Sequence, residues 1–372
     1  MATTAATTDV VVIGGGPAGL ATAIAARLRG LQVMVLEAAH PPIDKVCGEG
    51  LMPDAVAALQ RLGITITPED GAPFLGIRFV AGARGVEAPF PYGVGVGLRR
   101  WVLHQRLMNR ARALGVGMRW GTPVRTIAPV VVYGQGERLT YRWLIAADGI
   151  QSATRRRMGL HHPTHTRRRL GFQCHYRVPP WSPYVEMHWS QHCQAGITPV
   201  GSNEVSVCLL TQDTRYRFND LFLLFPHIAA HIHGAEPTTA VRGASTGNCR
   251  FLHLYQDNMI LVGDASGSVD AVTGEGLSLA FQQAEALAEA LVTGDLAHYA
   301  TTHRRLARRP WHMASLMLLL DSHQRLRHRA IYALATIPEA FAYLLAYHVG
   351  QSSRAHMGWR APLAFGWKFL TG

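Results

Sequence analysis

The sequence has few cysteines, and none of them are spaced as in a disulfide framework or a zinc cluster. Its five cysteines among 372 residues are an odd number and include no Cys-x-x-Cys pair. Disulfide-stabilised secreted domains and structural zinc sites need paired or clustered cysteines, so a reducing cytoplasm is the expected location. The first residues, MATTAATTD, also lack the basic stretch that opens a secretory signal, and no signal peptide is predicted.

Lysine is nearly absent, and charged residues of all kinds make up only 16% of the chain. Lys45 and Lys368 are the only lysines, so the net charge of +12 comes almost wholly from arginine. A basic surface can favour nucleic acid, an anionic membrane or a phosphate-bearing cofactor. The arginines are scattered apart from short runs at 155–157 and 167–169, and no nucleic-acid-binding motif accompanies them. We therefore expect no nucleic-acid partner.

Metal-binding signatures are also missing, although histidines are frequent between residues 161 and 233. None of them forms an HExxH helix motif with a carboxylate at ligand spacing. His227 and His231 are four residues apart, but Gly234 and Pro237 follow soon after, and the His-x-His at 231 and 233 is interpreted as a solvated loop. No metal site is predicted.

The sequence does contain a strand, a glycine turn, a helix and a second strand within residues 9–37. Four β-branched residues lead into Gly14-x-Gly16-x-x-Gly19, and an alanine-rich helix follows. Gly14 permits a tight turn, Gly16 lets a pyrophosphate approach the backbone, and Gly19 lets the helix pack closely. Glu37 lies 23 residues after Gly14, near the spacing at which a carboxylate accepts hydrogen bonds from an adenosine ribose. The stretch predicts dinucleotide binding.

Two later segments repeat the pattern of a buried strand followed by glycine and aspartate. The run WLIAADG ends in Asp148-Gly149, and the run MILVGDASG carries Asp264. A carboxylate at the carboxyl end of a strand lies where α/β folds bind ligands. The glycine turn at 274–277 then precedes a helix, whose free N–H groups and dipole attract an anionic ring. One extended cofactor that contacts all three segments is simpler than two separate dinucleotides.

A second glycine-rich loop, CGEGLMP, occupies residues 47–53. It can be a plain turn with a buried cysteine, because free cysteines are commonly buried. Alternatively, its flexible backbone and the small Cys47 side chain border the reactive ring of the cofactor, with Lys45 as a nearby positive charge.

Arg100 begins a helical pattern that ends at Gly115. It can be a surface charge, but the glycines before it favour an anion or cofactor contact.

The order of these patterns predicts an α/β fold in three parts. Residues 1–72, 98–160 and 245–298 form a discontinuous Rossmann-like domain, and residues 73–97 and 161–244 form an antiparallel β-sheet domain whose aromatic residues make a substrate wall. Residues 299–372 form a helical region. The apolar run 331–350 is long enough for a membrane span, but Pro338 and Glu339 interrupt it, which favours a helical hairpin that covers the sheet or lies on a membrane surface.

Three ordered motifs resemble the fingerprints of FAD-dependent class A monooxygenases and geranylgeranyl reductases. They are the glycine turn, the DGxxSxxR run at 148–155 and the GDASG…TGEG run at 263–276, and the resemblance extends from Val10 to about Ala284. It implies a glutathione-reductase-type fold that binds one extended FAD. The residues assigned to FAD are Gly14, Gly16 and Gly19 at the pyrophosphate, Glu37 at the adenosine ribose, Lys45 and Arg100 near the cofactor, Val124 at the adenine through its backbone, Asp148 and Gly149 in the second fingerprint, Asp264 at the ribityl chain, and Gly274, Gly276 and Leu277 at the pyrimidine edge of the isoalloxazine.

At several motif positions this sequence differs from these families, and the differences indicate which family it resembles more closely. Aromatic hydroxylases usually carry histidine where this chain has Gly267, and proline where it has Ala271. The runs CGEGLMP and TGEG resemble the reductase branch more closely, and there Cys47 would border the substrate over the flavin. Flavin halogenases resemble the chain less, because it reads QAGITPV where they carry a paired-tryptophan motif, and no lysine follows GEGLMP.

The sequence thus predicts an FAD-dependent oxidoreductase that takes electrons from NADPH or NADH. We expect a monooxygenase acting on an apolar aromatic, polyketide or lipid-like molecule, because that chemistry is common among proteins with these motifs. The alternative is a flavoenzyme that reduces or forms a C=C bond in a hydrophobic substrate, and in the reduction Cys47 or a water would deliver the proton. A non-catalytic flavin- or membrane-associated binding protein is a third interpretation. The expected location is the cytoplasm, with peripheral membrane contact through the C-terminal helices.

Overall fold

The computed structural model describes residues 6–128, 130–166, 168–351 and 361–371. Residues 1–5, Pro129, Arg167, and residues 352–360 and 372 of the predicted tail lie outside these ranges. The strands are β1 (Ala6–Ile13), β2 (Val33–Leu36), β3 (Gly50–Leu51), β4 (Ala72–Phe74), β5 (Gly76–Ala81), β6 (Arg84–Pro89), β7 (Gly95–Gly97), β8 (Gly117–Arg119), β9 (Val124–Thr126), β10 (Val131–Tyr133), β11 (Glu137–Ala146), β12 (Pro163–Thr166), β13 (Arg169–Arg177), β14 (Tyr184–Trp189), β15 (Cys193–Gly201), β16 (Glu204–Thr211), β17 (Glu236–Pro237), β18 (Arg242–Thr246), β19 (Cys249–Phe251), β20 (Tyr255–Gln256), β21 (Met259–Leu261) and β22 (Gly267–Ser268). The helices are α1 (Pro17–Arg27), α2 (Pro53–Arg61), α3 (Arg100–Ala113), α4 (Ala153–Arg157), α5 (Leu221–Leu224), α6 (Pro226–Ile232), α7 (Gly276–Thr293), α8 (Leu296–Ser322), α9 (Gln324–Thr336), α10 (Pro338–His348) and α11 (Ala361–Thr371).

Five parallel strands form the centre of the first sheet, in the order β21-β11-β1-β2-β8. Side chains of successive strand residues point to opposite faces. Val10 and Val12 accordingly pack in the core with α1, α3 and α7, while Val11 and Ile13 pack in the core with β10 and the segment after α4. Both faces are covered, which explains why β1 is a continuous run of apolar residues.

The second sheet has the order β17-β13-β16-β15-β14-β5-β6, with β18 beside β13. The hairpin β5–β6 and the antiparallel strands from β13 to β16 confirm the sheet predicted from alternating residues. One pairing differs, since β14 runs parallel to β5, with Tyr184 opposite Gly76. Alternation shows which face of a strand is buried but not which strand lies beside it.

The C-terminal helices cover the second sheet. Leu334 of α9 and Phe341 and Leu345 of α10 share an apolar cluster with Phe74 and Ile77. The chain bends by 107° between α9 and α10, at the predicted break before Pro338. In the described ranges no single helix is long and apolar enough to cross a membrane, although α9 and α10 taken together would be. The predicted packed cover is therefore observed, and membrane contact stays a prediction.

The α/β class, with a parallel sheet, a largely antiparallel sheet and a helical tail, is confirmed. Two local details differ from the sequence interpretation. Asp264 lies in a 3-10 turn, Gly263–Ala265, rather than at the end of a strand. His231 lies in α6 rather than in a loop, His233 follows the end of that helix, and the ring of His231 stacks on Trp181 with centroids 4.4 Å apart.

Candidate functional site

A cavity of about 840 Å³ lies between the two sheets and the tail, a volume typical of ligand sites. It brings together most of the residues predicted from the sequence. Those that line it are Gly16, Glu37, Lys45, Cys47, Arg100, Asp148, Gly149, Asp264, Gly274, Gly276 and Leu277. Gly14, Gly19 and Val124 do not line it. The Val124 carbonyl accepts a hydrogen bond from Arg157 (2.9 Å), and the adenine contact assigned to Val124 stays a prediction.

The glycines of the turn between β1 and α1 are of two kinds: some leave no space for a side chain, and one faces open space. A Cβ atom at Gly14, which has φ of 112°, would lie 2.5 Å from the Ala147 oxygen, and one at Gly19 would lie 1.9 Å from the Gly14 oxygen. A Cβ atom at Gly16 would meet no described atom within 4 Å. No side chain caps the N-terminus of α1 at Gly16. Free N–H groups and the positive helix end therefore face the cavity where phosphates are expected.

Glu37 is fixed beside this turn by two backbone N–H groups. Its carboxylate accepts hydrogen bonds from Gly15 (2.7 Å) and Ala39 (2.8 Å). A carboxylate has about four acceptor positions, so positions remain for ribose hydroxyls at the cavity wall.

His104 of α3 holds the other side of the turn, and the sequence interpretation missed it. Its Nε2 lies 2.9 Å from the Gly15 oxygen and its Nδ1 lies 3.4 Å from the Ile43 nitrogen. Burial lowers the pKa of His104, so the neutral ring donates from Nε2 and accepts at Nδ1. Its position on the buried face of α3, between Leu103 and Leu107, was the available signal.

The second fingerprint serves mainly to build the site. The Asp148 carboxylate accepts from the Ser152 hydroxyl and from the Thr154 N–H (2.9 Å), and thus caps α4. Asp148 also lines the cavity, and its predicted contact with the cofactor stays a prediction. Buried Arg155 donates to the Ala265 carbonyl (2.8 Å) and the Ile150 carbonyl (2.9 Å). Arg155 thereby joins this fingerprint to the turn that carries Asp264.

Replacing Arg155 by methionine should lower the free energy of unfolding by on the order of 3 kcal/mol, because two buried carbonyls lose charged donors. Urea unfolding of the apoprotein measures this. The matched control is Arg156→Met, since Arg156 is the exposed neighbour on the same helix. Equal unfolding midpoints for both variants would contradict the role given to Arg155.

Charged groups gather at the far end of the cavity. Burial raises the pKa of Asp264, and the positive charges of Arg100 and Lys45 oppose the rise. Burial also lowers the pKa of Arg100, which the negative charge of Asp264 opposes. Within the described ranges no group accepts a hydrogen bond from the buried Nη1 of Arg100. An unpaired cationic donor is costly inside a protein, so this arginine is suited to a polar ligand.

The Cys47 loop is fastened to the second sheet through Gln173 of β13. Gln173 accepts from the Cys47 N–H (3.3 Å) and donates to the Cys47 carbonyl (2.6 Å). Burial raises the pKa of the Cys47 thiol, and Arg100 opposes the rise. The thiol is therefore protonated at neutral pH and can act as an acid.

Glu49 completes the anchoring of this loop, with φ of 59° in the left-handed region that glycine prefers. Its buried carboxylate lies 2.6 Å from His175 Nε2 and accepts from the Arg100 N–H (2.7 Å). Glu49, Gln173 and His175 were missed from the sequence. The polar odd-numbered positions of β13 were the signal, but nothing local shows what they contact.

The rest of the cavity is apolar, and the tail supplies much of its wall. The apolar lining from β5, β14 and the tail helices comprises Ile77, Phe79, Val185, Met187, Trp189, Met313, Met317, Leu320, Ile331, Leu334, Phe341 and Leu345. The predicted aromatic wall from the second sheet is present in Trp189 and Phe172. The contribution of the tail was not predicted.

These residues fit an extended FAD. The two helix N-termini at Gly16 and Gly276 are open, since an added Cβ at either position meets no described atom within 4 Å. Arg100 lines the same cavity, and its buried Nη1 has no hydrogen-bond partner among the described residues. In the portion of the chain that the structure describes, no group of three or more His, Cys, Asp or Glu side chains is placed to hold a metal ion.

Comparison with known proteins decides the family. The sequence model of the family described as FAD binding domain matches residues 7–294. The chain belongs to this FAD-binding family. It is an FAD-dependent oxidoreductase, and members with the same domain include reductases and monooxygenases.

Individual relatives of this flavoprotein are distant. The menaquinone reductase of Mycolicibacterium smegmatis is 28% identical over 320 residues, which cover 79% of this chain and 78% of that protein. The 6-methylpretetramide 4-monooxygenase of Streptomyces rimosus is 28% identical over 172 residues, 41% of this chain and 30% of that protein. A flavoprotein/dehydrogenase structure from Cytophaga hutchinsonii superposes with a TM-score of 0.81, 18% identity and 92% coverage of both chains, and shows the shared fold.

Proposed function

We propose that the protein is an FAD-dependent reductase that saturates a C=C bond in a long apolar substrate, with NADPH or NADH as electron donor. The observation that carries this proposal is the apolar chamber that extends from Cys47 to the tail helices. The sequence favoured oxygen insertion because that reaction is common in related proteins. The chamber and the protonated thiol together favour reduction.

The chamber suits a chain-like molecule because its walls are apolar and the tail helices that cover it are held in place. Phe79 packs against Trp189 and Phe341, with ring centroids 4.9 Å away in each case. Arg327 in the first half of α9 donates to the carbonyl of Ser190, which directly follows β14 (3.0 Å). An apolar chain gains about 25 cal/mol for each Å² removed from water, so such a chamber binds a long hydrocarbon without specific polar contacts.

The proposed reaction adds a hydride and a proton across the double bond. Reduced FAD, when bound, supplies the hydride. Cys47 supplies the proton from Sγ to the neighbouring carbon, and the thiolate regains a proton from solvent before the next turnover. The N–H of Glu49 donates to Cys47 Sγ (3.4 Å), and the cationic Arg100 opposes the rise that burial causes in the thiol pKa. Both groups stabilise the thiolate that forms when the proton leaves.

The relatives support a quinone bearing an unsaturated chain as the substrate class. The menaquinone reductases match this chain over nearly four fifths of its length, whereas the monooxygenase of Streptomyces rimosus matches over 41%. The longer match includes the second sheet, which together with the tail lines the chamber. Oxygen insertion remains the second candidate because monooxygenases are also among the relatives that match this chain.

A single-turnover experiment tests the proposal. The FAD-loaded protein is reduced anaerobically with NADPH or dithionite and mixed with a menaquinone in detergent micelles. We expect a product heavier by two hydrogen atoms that keeps this mass after air reoxidises any quinol. A mass gain lost on reoxidation would show ring reduction instead. A product that forms only with oxygen and carries labelled oxygen would replace the proposal with monooxygenation.

A further inference from the structure

The apolar chamber reaches the protein surface along the tail. Met313, Leu316 and Leu320 lie on one face of α8 and line the chamber. Leu316 is nevertheless 37% exposed, and Leu319, which also lines the chamber, is 45% exposed. Single exposed apolar side chains are common on soluble proteins, but these two leucines extend the chamber lining to the surface. They mark one edge of the chamber mouth.

The helix α11 borders the same chamber and also exposes an apolar side chain. Phe365 and Phe369, four residues apart, line the chamber, and their rings stack with centroids 6.2 Å apart. Trp367, between them, does not line the chamber and is 67% exposed. α11 packs against α9, which follows α8 after one residue. Tryptophan is enriched where proteins meet the boundary between lipid and water.

The tail that carries these side chains is strongly basic. Residues 296–372 contain ten of the 36 arginines and lysines of the chain, but only two of its 24 acidic residues. Among these arginines, Arg308 of α8 and Arg325 of α9 are exposed. Arg325 directly precedes Leu326, which lines the chamber. Positive charge beside an apolar opening complements the negative surface potential of an anionic lipid leaflet.

The longest apolar stretch of the tail is already packed inside the protein. Leu334 of α9 and Phe341 and Leu345 of α10 are buried in the cluster with Phe74 and Ile77. The two helices also bend by 107° at their junction. Apolar contact with a membrane therefore depends on the tail side chains that stay exposed at the chamber mouth.

We propose that Leu316, Leu319 and Trp367, together with Arg308 and Arg325, form a docking rim that binds an anionic lipid bilayer with the chamber mouth facing the lipid. The three apolar side chains leave water as they enter the headgroup region, and the arginines meet lipid phosphates. An apolar substrate then passes from the bilayer into the chamber without crossing water. This last step rests on the proposed function, whereas the docking does not.

Flotation of the full-length holoenzyme with lipid vesicles tests the docking. We expect binding to vesicles of phosphatidylcholine and phosphatidylglycerol, and about tenfold weaker binding to phosphatidylcholine alone. Salt at about 0.5 M should also weaken binding, because it screens the arginines. Leu316→Ser and Trp367→Ser should each weaken binding to the anionic vesicles about tenfold, and Arg325→Gln about fivefold.

Leu223→Ser and Arg138→Gln are the matched controls. Leu223 is 83% exposed on α5, Arg138 is exposed on β11, and neither lines the chamber. Both variants should bind vesicles as the wild type does. A wild type that does not bind the anionic vesicles, or equal weakening by Leu316→Ser and Leu223→Ser, would overturn the proposal. So would a wild-type dimer, seen by light scattering, that Leu316→Ser and Trp367→Ser dissociate, because the rim would then join two copies of the chain.

Turnover distinguishes a failure of the docking from a failure of the proposed reduction. With a menaquinone in detergent micelles, Trp367→Ser should match the wild type, because Trp367 does not line the chamber. With the menaquinone in anionic vesicles, the variant should be slower, mainly through a higher KM. Equal slowing in micelles and vesicles would contradict entry from the bilayer. A wild type that reduces no C=C bond in either would contradict the proposed function, while flotation, which uses no substrate, still decides the docking.

Discussion

Replacing Gly16 by alanine is expected to weaken FAD binding about a hundredfold while the apoprotein keeps wild-type stability. The φ of −73° at Gly16 suits alanine, and the added Cβ meets no described atom within 4 Å. The same Cβ occupies the space through which the pyrophosphate approaches the N-terminus of α1. Titration of apoprotein with FAD measures the affinity, and thermal unfolding without FAD measures the stability.

Gly19→Ala provides the contrast. Its Cβ would lie 1.9 Å from the Gly14 oxygen, so the turn itself must move. This variant should lose thermal stability as well as FAD affinity. If Gly16→Ala binds FAD as tightly as the wild type, or if both variants lose stability equally, the assignment of the open position to the pyrophosphate is wrong.

The parts of the site that were predictable are those encoded within short segments. The glycine turn, its acid at Glu37 and the helix start at Gly276 each depend on residues within one strand–turn–helix unit. By contrast, the contacts of Gln173 with Cys47 and of His175 with Glu49 each join residues 126 apart in the chain. A single sequence contains no local pattern that pairs such positions.

Two segments with the same pattern have different roles in the structure. Asp148 and Asp264 both follow a buried strand and adjoin a glycine, which predicts the same role for both. After Asp148 come Ser152 and Thr154, whose hydroxyl and N–H groups engage its carboxylate and start α4. Asp264 instead interacts electrostatically with Arg100 across the cavity. The donors in the residues that follow each aspartate, rather than the motif, decide what its carboxylate contacts within the protein.

The tail was predicted as a cover, but its part in the cavity was not. Its apolar run indicates burial without indicating the partner, which is the hairpin β5–β6. The break before Pro338 places α10 so that Phe341 and Leu345 line the chamber while His348 reaches Thr273. One packing arrangement thus supplies both the substrate wall and the contact with the FAD motif.

Cys47→Ala should retain FAD and its reduction by the electron donor, yet slow transfer to the substrate by about 10²–10⁴-fold, the usual contribution of a positioned acid. Because burial raises the pKa of this thiol, it stays protonated through neutral pH, and the wild-type rate should fall only as the pH passes that raised value. Stopped-flow measurement of flavin reoxidation by the substrate without oxygen gives the rate.

Cys208→Ala separates proton donation from packing. Cys208 lines the same cavity, and its Sγ lies 3.9 Å from the Cys47 carbonyl oxygen. Burial raises the pKa of Cys208 to about 12, so its thiol is also protonated, but this thiol donates to the Cys47 carbonyl oxygen. We expect this variant to alter the transfer rate far less than Cys47→Ala and to keep the wild-type pH profile. Equal slowing in the two variants would mean that Cys47 shapes the cavity without donating the proton, and solvent water would then be the acid.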